Sequence, residues 1–214
     1  MGDDEHASPP TPVPGTRQSV GIPEPPSRDL LLACKAQNQA AFRVFVASYQ
    51  RAVFALLSRT TGPGAHVQDL AQEVFLRAFR AFPRFDVDGS ARASTWLLTI
   101  AVRLALNARK GLSRAQQLYP LAEAEALPAA GTPESERTRR ELGTAIAKAA
   151  QELSPEQRAI FVLSEFHGMS ISEIANAVEI PEATVKTRLF RARAQLRESL
   201  ASFWSFPRER SHGA

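Results

Sequence analysis

Between Ser170 and Arg193 the chain specifies two helices joined by a short stiff turn. Ser170 followed by Glu173 is a capping box, in which the hydroxyl and the carboxylate satisfy amides that the first turn leaves without partners. Ile174, Ala175 and Val178 supply the packing face of this first helix, and Ala175 is small enough to let a neighbouring helix come close. Pro181 cannot extend that helix and is suited to open the next one. Glu179 stands at the turn where Gly is common. A left-handed residue there costs about 1 kcal/mol, so the sequence predicts some other turn geometry.

The second helix of the pair sorts by angle at about 100° per residue. Val185, Leu189, Ala192, Leu196 and Phe203 share one side and are expected to pack inward. Ala183, Thr187, Phe190, Arg191 and Ala194 occupy the other, flanked by Lys186 and Arg197. Small residues, a hydroxyl and cations suit a major groove, where Lys and Arg reach phosphates or guanine edges and Thr a base edge. Scattered arginines on a helix are more often a solvated face. Phe190 favours the groove, because a large exposed ring calls for something to touch. One helix against the DNA backbone and the next in the groove is the expected docking of such a pair.

Upstream lies a second unit. Its 12 Lys and Arg against 5 Asp and Glu over residues 28–110 hold most of the positive charge of a chain whose net charge is +4. That bias suits nucleic acid, although cationic surfaces are common. Helical spacing runs through Phe42, Phe45, Val46, Tyr49, Val53, Leu56 and Leu57, and Gly62-Pro63-Gly64 breaks it. A helix over 66–82 stops at Pro83, a loop covers 83–93, and another helix runs from Ser94 to Lys110 with Trp96, Leu97, Ile100, Leu104 and Ala108 on its apolar side. Residues 111–133, rich in Ala, Gly and Pro, read as a flexible linker, with a short helical piece near 121–127. A second helical unit spans 134–203, with Ser154-Pro155-Glu156-Gln157 as a strong helix start and a tail over 204–214. Residues 1–27, with seven prolines and few large apolar groups, read as a disordered extension. Strand alternation is absent throughout, so the fold class is all-α: two small helical domains, the second with the helix-turn-helix.

Composition narrows function by exclusion. With Cys34 alone there is no internal disulfide and no cysteine-based zinc site, and Cys34 reads as a small buried hydrophobe. His6, His66, His167 and His212 are scattered, with His167 expected at the surface of a helix end. Asp86 and Asp88 are too few for a cation site, and no phosphate-binding glycine loop occurs. These point to no enzyme, no metal and no cofactor. No apolar run approaches the ~18 residues of a membrane span and no secretory signal is visible, so direct membrane insertion is not expected and the expected location is the cytoplasm.

On helix 66–82, Val67, Ala71, Val74, Phe75 and Ala78 face one way, and Asp69, Gln72, Glu73, Leu76 and Arg80 the other. The outer stripe fits ordinary surface or a docking face for a protein. At this point the residues resemble a family. Asp69-Leu-Ala-Gln-Glu-Val-Phe-Leu-Arg-Ala-Phe-Arg-Ala-Phe-Pro-Arg-Phe-Asp86, Ser94-Thr-Trp-Leu-Leu-Thr-Ile-Ala101 and Asn107-Ala-Arg109 are similar to the second conserved region of bacterial sigma factors. Leu153-Ser-Pro-Glu-Gln-Arg-Ala-Ile-Phe-Val-Leu163 through Arg197 is similar to the fourth. The short linker leaves no room for a folded third region, which resembles the extracytoplasmic-function group.

The resemblance implies roles. Asp69, Gln72 and Glu73, with Leu76 and Arg80 on the same stripe, would bind core RNA polymerase at the clamp helices of its largest subunit, while the second unit would meet the flap of the second-largest. Loop 84–95, with Arg84, Phe85 and Asp86, would hold a flipped base of the −10 element, at a cost of a few kcal/mol that the pocket must offset. Trp96 would separate strands, although a core position fits part of its ring equally well, and Arg103, Asn107, Arg109 and Lys110 would line the promoter backbone. Lys186, Thr187, Arg188, Phe190, Arg191 and Arg193 would read the −35 element. An anti-sigma factor is the further implied partner. Two positions depart from the family: Thr99 stands where a basic residue is frequent, and Arg103 where Asn is frequent. Few aromatics in the melting helix imply dependence on well-matched promoters. A one-component helix-turn-helix regulator of an operator shares the C-terminal pair but has no use for the docking stripe, and a sigma-like adaptor would bind polymerase without starting transcription.

Overall fold

The computed structural model describes residues 24–112, with side chains through Ala108, and residues 143–201 apart from 144 and 147. The proline-rich extension up to residue 23, the linker reading from residue 113, the helical piece near 121–127, the helix start near Glu134, Phe203 and the tail lie outside the described residues.

The first unit is built from four α-helices: α1 (Arg28–Lys35), α2 (Gln39–Thr61), α3 (Ala65–Ala81) and α4 (Ala93–Leu112). Side-chain oxygens start the first two, Ser27 accepting from the Leu30 amide at 3.2 Å and Asn38 from the Ala41 amide at 3.0 Å. α2 stops at Gly62, whose φ of +93° suits glycine alone. Pro83 ends α3 in a single 3-10 turn, Phe82–Arg84. The helix spacing seen in the sequence closes one core. Phe45, Tyr49, Val53, Leu56 and Leu57 of α2 meet Val67, Ala71, Val74 and Ala78 of α3 and Leu97, Leu98, Ala101, Val102 and Ala105 of α4. Burying each large side chain contributes about 1.5–3 kcal/mol. Phe82 sits fully buried at its centre, edge-on to Phe45 at 5.1 Å and to Trp96 at 5.1 Å.

α2 corrects one reading of the sequence. Over 18 residues it is apolar enough, by length and composition, to match a membrane span despite Arg43, Arg51 and Arg59 along it. Its Phe45, Tyr49, Val53, Leu56 and Leu57 are instead buried against other helices, as in a core helix.

The second unit contains α5 (Pro155–Glu165), α6 (Ile171–Val178) and α7 (Glu182–Ser199). Both capping boxes form, Ser154 with Gln157 and Ser170 with Glu173. Ile160 and Leu163 of α5, Ile174 of α6, and Val185 and Leu189 of α7 are buried. Ala149 and Leu153, from the chain leading into α5, close on Ala192 and Leu196 of α7. Glu179 does adopt the left-handed conformation (φ 57°, ψ 45°), contrary to the turn expected from its side chain. There the amides of Glu179 and Ile180 return to the Ala175 carbonyl, and Arg103 of α4 lies 3.2 Å from the Glu179 carboxylate.

His167 is also placed differently. It is 1% exposed, because Gly168 (φ +61°) turns the chain and the Met169 amide bonds back to the Leu163 carbonyl, tucking residue 167 inside. Burial first, and then the charge of Arg59, bring its pKa down to about 4.

The two units do not stand apart. α2 and α4 pack on α5, and α4 packs on α6, so one hydrophobic cluster runs continuously through both. Periodicity within each unit could not reveal that contact, since it joins residues far apart along the chain, Thr95 with Glu173 among them.

Candidate nucleic-acid interface

α7 presents the face read from its angles. Val185, Leu189, Ala192 and Leu196 are buried, while Phe190 is 73% exposed and Lys186, Thr187 and Arg191 lie open beside it. Thr187 donates its hydroxyl proton to the Ala183 carbonyl at 2.9 Å and so offers lone pairs outward. Arg188 is half-buried. Arg193 turns away from this face toward α5, where its Nε donates to Glu165 at 3.1 Å.

On α3, Asp69, Gln72, Leu76 and Arg80 are exposed and form one stripe above the buried Val67, Ala71, Val74 and Ala78. Phe75 is half-buried. Glu73, also half-buried, is paired one turn along with Arg77 at 2.6 Å.

Between the stripe and α4 the chain forms the loop that the sequence marked. Arg84 and Asp86 are exposed. The ring of Phe85 is not: it is 5% exposed, 5.5 Å from Phe82 and 5.0 Å from Trp96. Phe85 is thus a core residue here, because the 3-10 turn directs it inward. Trp96 is half-buried, its ring packed on both phenylalanines with part left open. The Asp86 carboxylate accepts from the Asp88 amide at 3.2 Å and lies close to position 89, where a Cβ would fall 2.9 Å from its Oδ2, so a larger residue there requires the Asp86 side chain to shift. Two side chains far off in sequence fix the loop in a way that no local pattern foretold. Arg28 forks onto Asp88 (2.9 and 3.0 Å), and Lys35 donates to the Phe85 carbonyl at 3.0 Å. The Arg28 hydrogen bond, then its charge, hold the Asp88 carboxyl below its ordinary range.

α4 brings the remaining residues together with the second unit. Asn107 is exposed, and the side chains of Arg109 and Lys110 lie outside the described residues. Arg103 donates from Nε to the Ala177 carbonyl and from Nη2 to the Asn176 carbonyl, both at 2.9 Å. Two turns earlier, Thr95 donates to the Glu173 carboxylate at 2.9 Å. Burial raises the Glu173 pKa; bonds from the Ser170 amide, from Thr95 and from the Ser170 hydroxyl, with the charge of Arg92, outweigh that and hold it below its ordinary value. α6 is therefore held by α4 near both of its ends. Among the described residues no group of three or more His, Cys, Asp or Glu is placed to hold a metal.

Known proteins share this arrangement. The family described as Sigma-70 region 2 matches residues 45–115, and Sigma-70, region 4 matches residues 144–196. The RNA polymerase sigma-H factor of Pseudomonas aeruginosa is 31% identical over 171 residues, covering 76% of this chain and 88% of that protein. The ECF RNA polymerase sigma-E factor of Escherichia coli is 34% identical over 164 residues, covering 73% and 84%. Among solved structures, CnrH in complex with the cytosolic domain of CnrY aligns with a TM-score of 0.58 at 26% identity over 82% of this chain and 97% of that one. The sigma factor RpoE of Bartonella quintana, in complex with the anti-sigma factor NepR, shares the fold, with a TM-score of 0.57 at 20% identity over 75% and 96%. An operator-binding regulator is not favoured by these likenesses. With region 2 and region 4 in order along one helical chain, the protein belongs to the extracytoplasmic-function group of RNA polymerase sigma factors, alternative subunits that direct promoter-specific initiation.

Proposed function

We propose that α7 reads the −35 element with Lys186, Thr187, Phe190 and Arg191, while the α3 stripe of Asp69, Gln72, Glu73, Leu76 and Arg80 docks on the clamp helices of the largest polymerase subunit. The observation that carries the reading is the outer face of α7, where an aromatic ring 73% exposed stands among cations above a fully apolar inner face. The second unit meets the flap of the second-largest subunit. Arg84, Asp86 and the open part of Trp96 act on the −10 strand, with Arg103, Asn107, Arg109 and Lys110 along the backbone; Phe85 supports Trp96 from below. The chain supplies specificity and no catalysis of its own, and works in the cytoplasm where the polymerase is. An anti-sigma factor is its regulatory partner, as for RpoE with NepR.

Distance adds a requirement. Elements at −35 and −10 lie about 25 base pairs apart, roughly 85 Å at ~3.4 Å per base pair. In the closed arrangement α7 lies about two helix layers from α4, roughly 20 Å at 8–10 Å per layer. The two units must part before both elements can be held at once. Run-off transcription with core polymerase on a randomised promoter library tests the function. Enrichment of one paired −35 and −10 sequence is expected, and no transcription above core alone would overturn it.

A further inference from the structure

We propose that Arg103 is a latch: in the free chain its guanidinium holds α4 against the C-terminal turn of α6, and the same group is released to promoter DNA only when the units part. This rests on the reading of Arg103 as a promoter-backbone residue.

The geometry carries the closed half. One guanidinium serves three acceptors on α6 and its turn: the Asn176 and Ala177 carbonyls at 2.9 Å and the Glu179 carboxylate at 3.2 Å. The last carbonyls of a helix have no partners within it and form the negative end of its dipole, so a cation there is favoured twice. Its planar fork reaches neighbouring acceptors together, which a point-charge ammonium cannot do. Thr95 grips the other end of α6 through Glu173. With Nε and Nη2 spent on α6, the two-nitrogen edge they form is not available to grip a phosphate, so latching competes with DNA contact at this position.

The test compares Arg103→Lys and Arg103→Ala in the full-length free chain, with circular dichroism to confirm native helix content and Thr95→Val as a second way of loosening the contact. Small-angle scattering reads the opening. A fluorescent single-stranded oligonucleotide carrying the −10 sequence selected from the promoter library reads DNA binding. All three variants are expected to increase the radius of gyration. Arg103→Lys, which keeps a cation, is expected to bind the oligonucleotide several-fold tighter than the parent chain, and Arg103→Ala more weakly than Arg103→Lys, with a salt slope lower by about 1. Unchanged scattering in all three overturns the latch. Expansion without any gain in binding by Arg103→Lys overturns the competition. Expansion with equal binding by the Lys and Ala variants keeps the latch and instead removes Arg103 from the promoter contacts.

Discussion

Arg59 of α2 holds its guanidinium over the ring of Phe166, 4.5 Å from the centroid, where the first helical unit meets the second. Burial lowers the pKa of Arg59, and the ring face returns some of the stabilisation that lost water provided. Partly desolvated cation–π pairs contribute about 1 kcal/mol. A double-mutant cycle of Arg59→Met and Phe166→Leu, read by urea unfolding of the full chain, is expected to show a coupling of that size. Additive effects would mean that the two side chains only fill space.

His167 lies close to the same junction and makes the closed chain sensitive to acid. Its unfolded value is about the ordinary 6.5 and its folded value about 4. Because the folded pKa is depressed, between those limits the unfolded chain binds a proton that the folded chain does not. Stability therefore falls as pH drops from 6.5 toward 4 and is unaffected by this group above 6.5. At pH 5 the loss amounts to roughly 2 kcal/mol at about 1.4 kcal/mol per unit. Neither ring nitrogen has a hydrogen-bond partner among the described residues, so His167→Leu forfeits none. The variant is expected to match the parent at pH 7 and to exceed it at pH 5; parallel pH profiles in urea would contradict the assignment.

Glu179 offers a separate check on the turn. It occupies left-handed backbone at a cost of about 1 kcal/mol, while its exchange with Arg103 is between groups 72% and 47% exposed and so contributes little. Glu179→Gly is expected to raise stability by about 0.5–1 kcal/mol in thermal unfolding. A loss would show that the ion pair outweighs the strain.

These three sites also show where sequence stopped being informative. Helix starts were legible because caps are local: Ser154 with Gln157 and Ser170 with Glu173 lie three residues apart, and both boxes form. The inner face of α7 was legible because 100° periodicity needs only one helix. Nothing local tells that Arg28 meets Asp88, that Arg103 meets Asn176, or that His167 is covered. Each depends on how separate helices dock, which many surface patterns permit. Phe85 shows the same limit: a 3-10 turn directs its ring to Phe82 and Trp96, and membership of a loop carries no local sign of that packing.

The α3 stripe predicts a loss that leaves the fold intact. Gln72 is exposed and Glu73 is half-buried with its carboxylate on Arg77, so the double change Gln72→Lys with Glu73→Lys removes a partly exposed pair worth about 0.3–0.5 kcal/mol and adds a like-charge repulsion against Arg77 of similar size. Against basic partner side chains it puts two cations where attraction was needed. Binding to core polymerase, measured by native gel or surface plasmon resonance, is expected to weaken at least tenfold with melting temperature nearly unchanged. Normal holoenzyme assembly would sink the docking assignment.

On α7 the positions separate by what they already hold. Arg191 and Phe190 are exposed, and no hydrogen bond or ring contact to another element engages them among the described residues, so each is free for the groove. Arg193 is engaged by Glu165 and must give up that pair before it can touch DNA. Arg191→Ala and Phe190→Ala are therefore expected to lower transcription from a promoter with a matched −35 element, Arg191→Ala by about tenfold, as loss of a good base or phosphate contact costs about 1–3 kcal/mol. Stability should hold within about 0.5 kcal/mol and core binding should not change. Arg193→Ala should cost less on the promoter and a little stability through Glu165. In vitro transcription on matched and −35-scrambled templates distinguishes these outcomes: equal losses on both templates would mean that Arg191 grips phosphates without reading sequence, and unchanged activity on both would remove α7's outer face from promoter recognition.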